Sequence, residues 1–113
     1  GGGVAGGSYR PEREQLERIR DLLMHEGPTF RAALEAREFI THFGEVLGER
    51  SKVVPAEFKK AALSEPLIYN KQLYWWAEIS KAEFMKPTVV DTLVGFYMAQ
   101  RPAQVLLESA LYD

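Results

Sequence analysis

Pro66-Leu67-Ile68-Tyr69-Asn70-Lys71-Gln72-Leu73-Tyr74-Trp75-Trp76-Ala77-Glu78-Ile79 carries the densest large apolar surface in the chain. From Leu73 onward the odd positions are Leu73, Trp75, Ala77 and Ile79, and the even ones are Tyr74, Trp76 and Glu78. A period of two in aromatic and branched residues suits a pleated surface with one apolar and one amphipathic face. The spacing therefore predicts a strand near residues 72–79, with the helices on either side covering it. Tyr74 and Trp75 must point to opposite faces, so only one of them lines a given side.

Around that strand the chain reads as helical. Pro11 opens a first helix, with Glu12 and Glu14 favouring its N-terminal end and Leu16, Ile19 and Leu23 on one face. Gly27-Pro28 is a stop signal, and Thr29 a fitting cap for a second helix over residues 30–36. A third follows to Phe43, with Phe39, Ile40 and Phe43 inward, and Gly44 ends it. Lys52-Val53-Val54 suits a short strand closed by Pro55. Residues 56–63 suit a helical turn or two, anchored by Phe58 and Leu63. Ser80-Lys81-Ala82-Glu83 is a capping-box pattern. The longest helix follows Pro87-Thr88, with Val89, Leu93 and Phe96 as one stripe. Pro102 predicts a kink or break near Arg101.

Bulk properties narrow the function classes. With 113 residues the chain has the length of one domain or part of one, enough to bury roughly two-thirds of its unfolded surface. A net charge of -2 argues against a broad nucleic-acid surface. The lack of cysteine removes disulfides, thiolate nucleophiles and cysteine metal sites, and is compatible with the cytoplasm. No apolar run reaches the ~18 residues of a membrane span. His25 and His42 have no second ligand at a metal-binding spacing, and no residue set calls for a cofactor. His42, near a helix end, is placed to cap carbonyls.

The glycine-dominated start, Gly1 to Ser8, has two readings. Composition suggests a flexible leader, at least over residues 1–5. Alternatively, Gly6-Gly7-Ser8-Tyr9 ends a strand where backbones approach closely.

Several short motifs fall in a recognisable order. They are Gly-Gly-x-Tyr-x-Pro at Gly6 to Pro11, Leu-x-x-Ile-Arg at Leu16 to Arg20, Phe43-Gly44 and Lys-x-x-Pro at Lys52 to Pro55. Pro-Leu-Ile-x-Asn-Lys-Gln-x-Tyr at Pro66 to Tyr74, Val-Asp-x-Leu at Val90 to Leu93 and Arg101-Pro102 complete the set. In these the chain resembles the C-terminal half of an uncharacterised, mainly bacterial family, the domain of unknown function family numbered 2461. Its Tyr69 to Tyr74 segment resembles a Bacteroidetes-type variant. The resemblance implies an α+β fold, mainly helical, with helices on a small antiparallel sheet. It makes Gly6 to Tyr9 the end of a strand. It also implies about another hundred residues before this point, so that residues 1–113 form one domain that is the C-terminal part of a larger one. The family has no settled activity.

The candidate ligand-binding residues are Tyr9, Lys71, Tyr74 and Arg101, a lysine and an arginine with two phenols that suit a small anionic ligand. The plainer reading has Lys71 solvated and the tyrosines packed. Trp75 and Trp76 as stacking platforms for bases, and Arg50, Lys52, Lys59 and Lys60 as a basic cluster, have plainer readings as core and as a solvated face. The leading reading is a chain of unknown molecular function that supplies the helical layer and part of the sheet of a larger domain, with binding of a small molecule or a protein as its first functional hypothesis; the alternative is an enzyme completed by an N-terminal half. The expected partners are that missing segment or a second copy, with an open edge and an exposed aromatic patch near Tyr74 to Trp76. Neither nucleic acid nor a membrane is expected as a partner.

Overall fold

The computed structural model describes residues 2–112. Its elements run β1 (Gly2–Ser8), α1 (Arg13–Glu35), α2 (Arg37–Phe43), a 3-10 turn (Ala56–Phe58), α3 (Lys59–Ser64), a second 3-10 turn (Pro66–Tyr69), β2 (Leu73–Ile79), α4 (Lys81–Phe84) and α5 (Val89–Tyr112). The fold is α+β and mainly helical, with one two-stranded antiparallel sheet.

β2 keeps its period of two. Leu73, Trp75, Ala77 and Ile79 are buried, while Trp76 and Glu78 are exposed. β1 pairs with it along its whole length, from Gly2 opposite Ile79 to Ser8 opposite Leu73. The flexible leader read from composition over residues 1–5 is therefore a strand from Gly2 onward. Glycine suits it because the partner's tryptophans lie against it on both faces. A Cβ on Gly3 would run into the Trp76 ring, and one on Gly6 into the Trp75 indole and Gln100. Gly7 has φ +86, a conformation that side chains disfavour.

Helices cover only one face of the sheet. There Trp75 meets Phe39 edge to face at 5.3 Å, and Phe43 meets Phe96 at 5.6 Å. Ile19, Leu23, Phe30, Phe58, Ile68 and Leu107 complete a single core. The radius of gyration is 15.1 Å, above the ~13 Å of a compact chain this long, and the body measures 51 × 25 × 22 Å.

Several local expectations change. Helix α1 begins at Arg13, with the Glu12 N–H donating to Gln15 Oε1 at 2.9 Å. The expected stop at Gly27-Pro28 is present as a kink, so that α1 is two helical segments joined one residue earlier. Only Glu26 leaves helical geometry (φ -130, ψ 29), and Pro28 then sits in the first turn of the resumed helix, where no N–H is needed. Ile40 points outward and is half exposed, whereas Phe39 and Phe43 are buried. Lys52 to Val54 forms no strand; isolated bridges pair Leu47 with Tyr74 and Arg50 with Asn70 instead. In α3 the buried anchor is Ala62, and Leu63 is exposed.

Helix α5 runs unbroken through Pro102. The proline leaves the Met98 carbonyl without its helical donor. The buried residues of this helix are Ala99, Ala103 and Leu107, not the stripe from Val89 to Phe96. Small residues four apart let α5 lie close to its neighbours. Its first half projects, with Val90, Val94, Tyr97 and Met98 exposed.

Candidate functional site

The uncovered side of the sheet is built by the residues whose side chains point away from the helices. Tyr74 and Trp76 of β2 lie across from Gly7 and Ala5 of β1, and Tyr9 follows at the strand's end. Tyr9 and Tyr74 meet edge to face, with ring centroids 4.8 Å apart and planes at 87°. The Arg10 guanidinium lies 5.6 Å from the Tyr9 ring centre, within cation–π range. Ala5, Gly6, Gly7, Tyr9, Tyr74 and Trp76 line an open concavity of about 440 Å³. Trp76 is 49% exposed there, while Trp75 on the other side is fully buried.

The register also fixes which main-chain groups face outward. Tyr74 exchanges both its N–H and its C=O with Leu47, at 3.2 and 2.7 Å, so these groups point away from β1. Alternation then turns the main chain of Leu73, Trp75 and Ala77 toward β1, where Ser8, Gly6 and Val4 lie opposite. The main-chain groups of Gly3, Ala5 and Gly7 consequently face the far edge. The Gly7 N–H donates to Gln104 Oε1 at 3.0 Å. Gly3 and Ala5 have no such side-chain cap among the described residues.

Of the four residues singled out from the sequence, the structure brings Tyr9 and Tyr74 together. Lys71 is exposed just before β2, its N–H donating to the Glu49 carbonyl at 2.7 Å. Arg101 is exposed on α5, its Nη1 donating to the Tyr97 hydroxyl at 3.1 Å. Neither lines the aromatic concavity. Both histidines engage a carbonyl one turn back in their helices: His25 Nδ1 with Asp21 at 2.9 Å and His42 Nδ1 with Glu38 at 2.7 Å. No group of three His, Asp or Glu side chains suited to a metal ion forms among the described residues. None of the described helices is long and apolar enough to cross a membrane.

Two polar devices escaped the sequence reading. Gln100 and Gln104, one turn apart, tie α5 to the sheet through Trp75 Nε1 (2.7 Å) and Gly7 N–H. In the sequence they sit beside Ala99 and Ala103, small residues four apart that do not stand out from the apolar residues around them. The second device joins α1 to the turn before β2. Buried Glu65 takes the Arg31 guanidinium on both oxygens, with Nε to Oε1 at 3.0 Å, and accepts the Leu67 N–H at 3.1 Å. The hydrogen bond to Glu65 raises the Arg31 pKa above the ordinary arginine value, whereas burial lowers that of Arg20.

A family model described as a conserved hypothetical protein, DUF2461, matches residues 2–104. No curated protein and no solved structure matches the chain.

Proposed function

Because the chain belongs to the DUF2461 family, whose description carries no activity, we propose that it works as a polypeptide-binding module. It supplies the helical layer and two strands of a larger sheet, and an added strand pairs with the outer edge of β1. One observation carries this reading. Gly3 and Ala5 turn main-chain groups outward on a strand with no charge and no proline, the usual guards of an exposed edge. Beside it lies a bare aromatic face, which a covering layer would remove from water.

The occupant is the segment that precedes residue 1 in the longer chains implied by the resemblance. A chain entering at Gly2 arrives beside this edge, and sequential strands usually pair. A hairpin would lay its strand antiparallel to β1. The cysteine-free composition supports the cytoplasm as its location.

Amide hydrogen exchange tests the reading. Gly3 and Ala5 should exchange rapidly in the 113-residue chain and at least about a hundredfold more slowly when the family's preceding segment is joined to it. Equal exchange in both would refute the proposal. Protection that arises in the shorter chain together with a doubling of mass would assign the edge to a second copy instead.

A further inference from the structure

A second concavity, of about 500 Å³, lies away from the sheet and is lined by Lys52, Val53, Val54, Lys59, Lys60, Leu63 and Tyr69. Three cations and no acid line it, in a chain whose net charge is -2. A fourth cation stands beside it: the Arg50 guanidinium lies 5.7 Å from the Tyr69 ring centre and donates to the Pro66 carbonyl at 3.3 Å. Among the described residues no ion pair engages Lys52, Lys59 or Lys60.

The apolar part of the lining is equally unusual. Leu63 is 83% exposed and Val53 72% exposed, although both are large apolar side chains beside a well-packed core. Val54 beneath them is buried, and Tyr69 is partly covered. An apolar floor with a few convergent charged groups is the ordinary composition of a small-molecule site. The cations suit phosphate oxygens, and the exposed leucine and valine suit a flat organic body.

We propose that this concavity binds a small organic polyphosphate with an aromatic body, of the nucleoside triphosphate class. Lys52, Lys59 and Lys60 receive the phosphates, while Val53 and Leu63 cover one side of the body. The site shares no residue with the open sheet face and does not depend on how that face is covered.

Titration calorimetry of the intact chain at low salt tests this, with ATP, inorganic tripolyphosphate and adenosine as probes. ATP should bind one to one, more tightly than tripolyphosphate, and should weaken as salt rises. The double variant Lys59→Ala/Lys60→Ala should bind ATP about tenfold more weakly, from two exposed charge contacts. Both lysines are exposed, so its melting temperature should match that of the parent chain. Leu63→Asp should weaken ATP more than tripolyphosphate.

Absence of ATP binding at millimolar concentration would overturn the proposal. So would a double variant that binds as the parent does, or tripolyphosphate binding as tightly as ATP. A single-stranded oligonucleotide that binds where ATP fails would also overturn it, and would assign the cluster to a nucleic-acid backbone.

Discussion

The Trp75 indole donates to Gln100 Oε1 at 2.7 Å, and the two meet directly against Gly6. A strand, a helix and a side-chain pair thus converge where a single methyl group would not fit. Gln100→Leu should destabilise the fold by about 1–3 kcal/mol, because it strands a buried indole N–H. Chemical denaturation of the variant measures this directly, and an unchanged midpoint would refute the role of the contact.

Gly6→Ala should cost at least as much for a different reason. Its Cβ would lie 2.7 Å from the Trp75 Cε2 atom, so the indole or the strand must shift. Overpacking of this kind typically costs about 1–3 kcal/mol. Equal stability of variant and parent in a urea titration would show that the sheet and α5 separate more easily than their packing implies.

Arg31→Met should destabilise by about 2 kcal/mol, since Glu65 would be left buried without its cation. The loss should fall short of the 3–5 kcal/mol of a fully buried pair, because the Arg31 side chain keeps 37% of its exposure. Its raised pKa means that the guanidinium contributes fully below the ordinary arginine range and is lost only as pH rises through the higher folded value. Melting curves across neutral pH should therefore show no slope from Arg31. A slope there that disappears in the variant would contradict the assignment.

Pro102→Ala should stabilise the protein. Helix α5 is continuous through this position, and alanine would return an N–H to the Met98 carbonyl. The cost of proline in a helix interior is about 3 kcal/mol, an upper bound here because the surrounding helix is intact. A rise of at least about 1 kcal/mol in unfolding free energy is expected. A fall would mean that the proline's fixed backbone angle is itself needed for packing.

The strand at Leu73–Ile79 was legible in the residues because period two leaves little choice of faces, and the α+β class followed from the family resemblance. Family resemblance decided between the two readings of the glycine-rich start in favour of a strand end at Gly6 to Tyr9, and the strand closes at Ser8. Glycine-rich segments look alike whether they are free or clasped between tryptophans. The inward face of α5 was hidden for another reason. This helix is apolar on most sides, so no stripe stands out, and the alanines that let it approach look unremarkable beside valines and leucines. Gly27-Pro28 marked the break in α1 to within a residue, because a proline that cannot continue one helix suits the first turn of the next. Of the candidate site, the pairing of Tyr9 with Tyr74 depended on strand register, which alternation along each strand does not fix.

The two tryptophans, adjacent in sequence and opposite in setting, make the chain its own spectrometer. Trp75 is fully buried and Trp76 is half open to water. Replacing either with phenylalanine leaves one emitter. The inner one reports whether the protein is folded, and the outer one, through iodide quenching, whether anything lies over the sheet. A single polypeptide can thus report folding and face closure as two separate optical signals, with no dye attached.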